Sequence, residues 1–257
     1  MLDKITKGAI SPRHATADMA AYRAFQTEFD QWIHSSKQKV SGLPETRVLV
    51  SGITDALNQT YALYQQIGVF DGEYGYHSLV LGNRVTKMLS AADAIVVSHP
   101  FSADGMSSHD KLKQADCFGK PIFVDCAFFG ICANVDFDFA SYNNIHSVCF
   151  SLSKTFGTGH RRIGMLYTRD RYAASVYDEW SYPLIASAEH HYRLLKTIGP
   201  DDTFERLRSA QESICVQLNV EPSDTVIFGI DRSNLYPEYK RGQVGRLCIS
   251  QLLQDGQ

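Results

Sequence analysis

The segment 151–164 combines side chains that can bind an anion with one that can form a covalent bond. It places Ser151 and Ser153 directly before Lys154, and Arg162 follows eight residues after the lysine. A lysine that is partly removed from water and lies near other cations has a lowered pKa, so its amine can attack a carbonyl carbon and form a Schiff base. Taken alone, the segment fits equally well with an exposed lysine in a glycine-rich turn.

Two other stretches of the sequence carry groups that could bind a charged ligand. The stretch 51–54 reads Ser-Gly-Ile-Thr and opens a predicted helix. Helix N-termini bind phosphate because their N–H groups are free and the helix dipole is positive there; the alternative is an ordinary helix cap. Asp125 interrupts the apolar run IFVDCAFF, and a carboxylate in such a run must be paired unless it is solvated at the strand end.

These residues follow predicted strands. Short, continuous apolar runs at 47–52, 93–100, 120–129, 146–153 and 162–168 favour strands covered on both faces, and helical segments separate some of them. The first 45 residues read as helical, and a helix follows from Ile53 to Gly68. The pattern predicts an α/β fold with a largely parallel sheet, whose ligands collect at the carboxyl ends of the strands. A last strand is predicted at 245–250.

Composition excludes several classes of protein. The 257 residues carry 25 Lys+Arg and 28 Asp+Glu, a net charge of −3, which argues against a binder of nucleic acid. No apolar run approaches the ~20 residues of a membrane span, and the N-terminus lacks the apolar core of a signal peptide. The six cysteines form no C-x-x-C pair, and no ligand cluster for a metal is evident. We therefore expect reduced thiols in a cytoplasmic protein with no membrane partner.

Four sequence motifs together resemble one family, the fold-type I pyridoxal-phosphate-dependent enzymes of the aspartate aminotransferase superfamily (class I/II aminotransferase-like). The strongest is S-x-S-K-T-F-G-x-G-x-R-R-I-G at 151–164, which is similar to the family's Schiff-base lysine motif. The others are P-I-F-V-D-x-A-F-F, whose aspartate precedes the lysine by 29 residues, V-L-V-S-G-I-T-D-A-L, and more weakly S-H-P-F-S-A-D-G. The similarity is good over residues 45–170 and poor elsewhere.

The resemblance implies a cofactor, pyridoxal 5'-phosphate, and a role for each matching residue. Lys154 would hold the cofactor as a Schiff base and act as general base, and Asp125 would keep the pyridine nitrogen protonated. Arg246 would bind the substrate carboxylate. The remaining cofactor-binding positions implied by the resemblance are Ser51, Gly52, Ile53, Tyr74 (with Tyr76 as alternative), Ser102, Phe128, Ser151, Ser153 and Arg162.

The chain departs from the family pattern at some of these positions. Phe128 stands where the family often has a tyrosine that hydrogen-bonds the cofactor's phenolic oxygen, and Ser102 stands where it has an asparagine. His99 replaces another asparagine, and Ile53 a threonine, with Thr54 next to it. The chain is also short for the family, which predicts a reduced small domain or an incomplete lid over the substrate.

The resemblance predicts a three-layer α/β/α sandwich in three parts: an N-terminal helical segment (1–45), a cofactor-binding core (46–170), and a helical connection with a reduced small domain (171–257). The expected activity is an aminotransferase that acts on an amino acid and a 2-oxo acid, in a homodimer. A lyase, decarboxylase or oxidase using the same cofactor, and a non-catalytic cofactor-binding module, remain alternatives. Tyr22 is a weaker candidate for reaching the phosphate of a neighbouring subunit.

Overall fold

The computed structural model describes residues 12–170 and 184–255, so the predicted helical positions 1–11 and 171–183 lie outside the described residues. The helices are α1 (Pro12–His34), α2 (Ile53–Leu63), α3 (Tyr76–Leu81), α4 (His109–Asp116), α5 (Ile185–Thr197), α6 (Asp202–Leu218) and α7 (Leu252–Asp255). The strands are β1 (Val40–Ser41), β2 (Thr46–Val50), β3 (Ile67–Val69), β4 (Val85–Thr86), β5 (Ala94–Ser98), β6 (Ile122–Cys126), β7 (Phe137–Asp138), β8 (Ile145–Ser151), β9 (Gly164–Thr168), β10 (Glu221–Pro222), β11 (Phe228–Asp231), β12 (Lys240–Arg241) and β13 (Val244–Cys248). Across the described ranges, none of the helices combines the length and apolar character needed to cross a membrane.

A seven-stranded sheet with the order β2-β9-β8-β6-β5-β3-β4 forms the centre of the molecule. Strand β9 runs antiparallel to both of its neighbours, and the other pairs are parallel. The carboxyl ends of β3, β5, β6 and β8 therefore meet at one edge, where parallel sheets bind ligands. This confirms the predicted α/β class with a mostly parallel sheet.

Helices cover both faces of the sheet. Neighbouring residues of a strand point to opposite faces, and apolar residues at both kinds of position give the sheet two apolar faces. Leu49, Val97 and Phe150 belong to the core that contains residues of α1, α4 and α5. Val48 and Val96, one position away, belong to the core that contains residues of α2 and α3. The two cores give the predicted three-layer sandwich.

Helix α1 is held by an apolar stripe at helical spacing. Phe25, Phe29 and Ile33 are fully buried against the sheet, and Trp32 lies on the same face. The Trp32 indole donates to the carbonyl oxygen of Ile198, 2.8 Å away, just after α5. Within the predicted N-terminal helical segment, residues 12–34 are helical and pack on the sheet, whereas residues 35–45 are not helical and include β1.

Strand β3 corrects the prediction of one helix from Ile53 to Gly68. Helix α2 ends at Leu63, because Tyr64 has an extended backbone (φ −124°, ψ 136°). The following Ile67–Val69 is fully buried and pairs in parallel with β5. A Cβ on Gly68 would approach the Cβ of Ala92 to 2.9 Å, so the glycine serves close packing rather than a helix end.

The C-terminal residues form a second, smaller sheet. Its antiparallel order is β10-β11-β13-β12, and α6 packs against it. Strand β13 (Val244–Cys248) overlaps the strand predicted at 245–250 and ends two residues earlier. Helix α6 and strands β10–β13 are together called the C-terminal unit. That this unit is the reduced small domain expected within 171–257 stays a prediction.

The cysteines are free thiols in two environments. Cys126, Cys132, Cys149 and Cys215 are buried, and burial raises the pKa of each of these thiols. The other two, Cys117 and Cys248, are exposed. Four of the six thiols are therefore shielded from solvent.

Candidate active site

Strand register brings three polar side chains to one face at the carboxyl edge of the sheet. Ser98 on β5 is paired with Asp125 on β6, and Asp125 with Cys149 on β8. Ser151 lies two positions after Cys149 and so points to the same face. Ser98, Asp125 and Ser151 therefore all point to the side covered by α2.

A cavity of about 410 Å³ opens at this edge. Most of the residues predicted from the sequence line it: Ile53, Tyr74, Ser102, Asp125, Phe128, Ser151, Ser153, Lys154, Arg162 and Arg246. The other two, Ser51 and Gly52, lie next to it, in contact with Arg162. The structure thus brings together residues that are up to 195 positions apart in the chain.

Lys154 follows β8 and projects into this cavity. Its Nζ lies 4.3 Å from the centre of the Phe128 ring. The side chain faces the cavity but is surrounded by protein, and this burial lowers the pKa of its amine. The charge of Asp125 raises the pKa, whereas the charges of Arg246 and Arg162 lower it further. A larger share of the neutral amine, the form that attacks a carbonyl, is therefore available than for a lysine in water.

Asp125 is 4% exposed at the end of β6. Its Oδ1 accepts the backbone N–H of Ala127 at 2.9 Å. Burial raises the pKa of this carboxyl, and Lys154 counteracts that effect. Such a carboxylate is well placed to pair with a positively charged group that enters the cavity.

The turn between β2 and α2 forms a cradle for an anion. Gly52 has φ 76° and ψ −175°, and a Cβ at this position would lie 3.2 Å from a terminal nitrogen of Arg162 and 3.3 Å from Ser151 Oγ. The Arg162 guanidinium also donates to Ser51 O at 3.2 Å and to Thr54 Oγ1 at 2.8 Å. A guanidinium, two hydroxyls and a helix N-terminus suit a phosphate group.

Arg246 reaches the cavity from β13 of the C-terminal unit. Its guanidinium donates to the carbonyl oxygen of Ser102 and stacks on the Phe228 ring, 4.4 Å from its centre. Its Nε is buried without a hydrogen-bond partner, and burial lowers the pKa of Arg246 to about 10. An unpaired buried donor on a cation favours a carboxylate ligand.

The structure also distinguishes between the aromatic candidates. Tyr74 lines the cavity, whereas Tyr76 stacks on Tyr74 at 5.8 Å and donates to Asn58 Oδ1. Tyr22 is buried in the core of its own chain, where its hydroxyl accepts the N–H of Leu49. This position does not support the idea that Tyr22 reaches the phosphate of a neighbouring subunit. Arg161 borders a different surface depression.

Several residues of the site were not predicted from the sequence. Ser98 lines the cavity and hydrogen-bonds the buried Glu73, and Thr54 binds Arg162. Ser98 had a sequence signal, since it ends an apolar strand and is the first residue of the S-H-P-F-S-A-D-G motif. The other unpredicted lining residues are Ala127, Gly159, Ile227, Phe228 and Cys248.

A second cavity of about 910 Å³ adjoins the first. The two share Ser153, Lys154, Ile227 and Cys248, so the lysine stands at their junction. Apolar side chains of Phe156, Ile198, Leu207 and Leu253 contribute to the second cavity. It offers space next to the lysine for a group larger than the first cavity holds.

Comparison with known proteins gives structural matches only. No family model matches the sequence, and no curated protein matches it either. An aminotransferase from Staphylococcus aureus has a TM-score of 0.64 at 12% identity, over 91% of this chain and 81% of that one. The histidinol-phosphate aminotransferase from Clostridium acetobutylicum has a TM-score of 0.58 at 13% identity, over 91% and 87%.

A third similar structure is a lyase. The pyridoxal-phosphate-bound C-S lyase from Staphylococcus hominis has a TM-score of 0.65 at 12% identity, over 84% of this chain and 68% of that one. Identities this low establish the fold and leave the reaction open. The chain has the fold of the class I/II, fold-type I pyridoxal-phosphate-dependent enzymes.

Proposed function

We propose that this protein binds pyridoxal 5'-phosphate through Lys154 and transfers an amino group between an amino acid and a 2-oxo acid. One observation carries the proposal: Lys154, Asp125 and Arg246 line a single cavity beside the Gly52 cradle. When bound, the cofactor supplies an electron-accepting ring that stabilises negative charge at the substrate's α-carbon. The solved structures with this fold that bind pyridoxal phosphate support the choice of cofactor.

The residues of the sheet edge would hold and tune the cofactor. Arg162, with Ser51, Gly52 and Ser151, would bind the phosphate, and Ile53 and Ser153 would close the same side of the cavity. Asp125 would hold a proton on the ring nitrogen, because a buried carboxylate stabilises a cation beside it. Tyr74 would stack on the ring, and Phe128 would pack against its other side without donating a hydrogen bond.

Lys154 and Arg246 would act on the substrate. As a neutral amine, Lys154 would take the proton from the substrate's α-carbon and hold it for delivery to another atom of the substrate–cofactor pair. Its lowered pKa favours the neutral base. Arg246, fixed by the Ser102 carbonyl, would bind the α-carboxylate and so orient the bond to the proton.

A lyase is the second candidate, favoured by two observations at the site. Phe128 and Ser102 line the cavity, and they offer no phenolic hydroxyl and no amide at the two positions where the family often has a tyrosine and an asparagine. Both changes alter the hydrogen bonding around the cofactor, which helps to determine the bond that breaks. A C-S lyase is also among the proteins with this fold.

The cofactor assignment is tested with purified protein and pyridoxal phosphate. We expect a visible absorption band that borohydride removes, and its loss in Lys154→Ala. Lys113→Ala is the control, since Lys113 lies on α4 outside the cavity residues. A band of unchanged intensity in Lys154→Ala would refute the assignment.

The reaction is tested with amino acids and 2-oxo acid acceptors. Transamination predicts that amino-group transfer depends on the acceptor and yields the acceptor's amino acid. Release of ammonia, sulfide or carbon dioxide without transfer would instead establish the second candidate. A visible band with neither outcome for any substrate would identify a cofactor-binding module.

We further propose a homodimer in the cytoplasm, built from an N-terminal helical segment (1–45), a cofactor-binding core (46–170) and a reduced small domain with its helical connection (171–257). The exposed apolar side chains of Leu79 (82%) and Val80 (47%), near the Tyr74 loop, support a partner surface. The buried free thiols support a reducing compartment. Light scattering should give a monomer mass for Leu79→Glu. Val216→Glu is the control, because Val216 is an exposed residue of α6, and it should keep the dimer mass.

A further inference from the structure

Glu73 is a buried carboxylate that the proposed reaction does not use. It lies in the loop after β3 and is 8% exposed. Three donors hold it: the Ser98 backbone N–H at 2.9 Å, the Tyr74 backbone N–H at 2.9 Å, and the Ser98 hydroxyl in a short contact. Among the described residues no lysine or arginine forms an ion pair with it. A buried carboxylate held only by neutral donors is costly when ionised.

The Ser98 hydroxyl connects Glu73 to the cavity. Its Oγ accepts the backbone N–H of Ser102 at 2.7 Å, so its lone pairs are partly used, and its single proton points to Glu73. A serine has only one proton to donate. While Glu73 is ionised, that proton is committed to Glu73; when Glu73 is protonated, Glu73 can donate to Ser98 Oγ, and the Ser98 proton is free to turn to the cavity.

Sheet topology places Ser98 on the side of Asp125 that lies away from the phosphate cradle. The cradle involves β2, β8 and β9, Asp125 stands on β6, and Ser98 stands on β5. On the pyridine ring of pyridoxal phosphate, the phosphate arm and the phenolic oxygen lie on opposite sides. A ring whose phosphate occupied the cradle and whose nitrogen met Asp125 would therefore have its phenolic oxygen on the β5 side.

We propose that Glu73 and Ser98 form a positioning pair that controls a hydrogen bond from Ser98 to the phenolic oxygen of the bound cofactor. This rests on the proposed cofactor binding and extends it to two residues with no assigned role. The pair supplies a hydrogen-bond donor to the ring oxygen, for which Phe128 and Ser102 provide neither the phenolic hydroxyl nor the amide found elsewhere in the family. Glu73 acts through Ser98 and does not itself touch the cofactor.

A carboxylate, a tyrosine and a histidine face Glu73 from the neighbouring elements. Burial raises the pKa of Glu73 to about 7, and the charge of Asp125 on β6 adds to the increase. Tyr61 on α2 stays neutral because burial and these carboxylates raise its pKa. His77 on α3, which shares a hydrogen bond with Tyr61, stays neutral because burial lowers its pKa to about 4.

The test is the pH titration of the visible band in the cofactor-loaded protein. A donor to the phenolic oxygen weakens that oxygen's hold on the Schiff-base proton, so it lowers the midpoint. Ser98→Ala removes the donor and should raise the midpoint by about half to one pH unit. Glu73→Gln weakens the hold on the Ser98 proton, because a neutral amide is a weaker acceptor than a carboxylate, and should lower the midpoint.

The control is Ser147→Ala, a buried serine at the opposite end of β8 whose hydroxyl binds Thr168. Its midpoint should equal that of the wild type. A midpoint that does not rise in Ser98→Ala, or does not fall in Glu73→Gln, overturns the proposal.

A second measurement needs no cofactor. Infrared spectra of the apoprotein should show a protonated-carboxyl stretch that titrates near pH 7 and is absent in Glu73→Gln; a Glu73 that is fully ionised from pH 5 upward overturns the proposal. A wild-type protein without any visible band would refute the proposed function, while the infrared result would still report on Glu73.

Discussion

The edge of the seven-stranded sheet and the C-terminal unit contribute to the same cavity in different ways. At the sheet edge, Ser98, Asp125 and Ser151 are fixed by strand register within continuous apolar runs. The C-terminal unit brings Arg246 and Phe228 to them through contacts between distant parts of the chain. Ser223 and Thr225 donate to the carbonyl oxygens of residues 104 and 105, which are about 120 positions earlier.

Under the proposed function, this difference assigns cofactor binding to the sheet edge and substrate binding to the C-terminal unit. The sheet edge holds the groups that suit a phosphate and a pyridine ring, and its strands are buried on both faces. The C-terminal unit holds Arg246, whose unpartnered Nε suits a carboxylate. The position of this unit depends on turns such as 223–228, whose carbonyl oxygens accept from Gln211. Changes in the C-terminal unit should therefore alter substrate use and leave the cofactor bound.

Removal of the Arg246 side chain should have the largest effect in the C-terminal unit. Arg246→Ala leaves a substrate carboxylate without its charged donor, which should raise the half-saturating amino acid concentration roughly 100- to 1,000-fold. The absorbance change on adding amino acids measures this. Arg232→Ala, which breaks an exposed ion pair with Glu221, is the control and should leave it unchanged.

Equal loss of cofactor binding in Arg246→Ala would contradict the separation of the two regions. The visible band before substrate addition distinguishes this outcome from a loss of substrate binding alone.

The next largest effect should come from the phosphate cradle. Gly52→Ala introduces a Cβ that competes with a phosphate for Arg162 and Ser151, in a backbone conformation that only glycine adopts readily. The affinity for pyridoxal phosphate should fall roughly 10- to 100-fold, as measured by equilibrium titration. Gly119→Ala also has positive φ but open space around it, so it should cost stability without changing that affinity.

The same contrast explains what could be predicted from the sequence. Lys154, Asp125 and Arg162 lie in contiguous motifs, so their roles could be inferred before the fold was known. Strand β3 was missed because three apolar residues after a helix carry no periodicity of their own. The Glu73–Ser98 contact joins the loop after β3 to the last residue of β5, 25 positions later, and the β3-β5 pairing brings them together.

Docking of the C-terminal unit should be weakened by Gly105→Ala. A Cβ at Gly105, where φ is 68°, would lie 2.5 Å from Ser223 Oγ and 2.8 Å from Thr225 Cβ. The free energy of unfolding should fall by about 2 kcal/mol, and the half-saturating amino acid concentration should rise less than tenfold. Gly82→Ala, with positive φ and no neighbour within 4 Å, controls for the backbone cost. Loss of the visible band in Gly105→Ala alone would argue that the cofactor site also depends on this contact.

The smallest expected effect is on the pKa of Lys154, which charges from both regions influence. In the apoprotein, burial lowers the pKa of the Lys154 amine, Asp125 raises it from the sheet edge, and Arg246 lowers it from the C-terminal unit. Arg246→Ala should therefore move the pKa upward and Asp125→Asn downward, since one removes a repulsive charge and the other an attractive one. The rate of reductive methylation of Lys154 against pH, followed by mass spectrometry, measures both. Because the neutral amine is the reactive form, a raised pKa moves the onset of reaction to higher pH. Shifts of the same sign in both variants would show that repacking, and not charge, links the two regions.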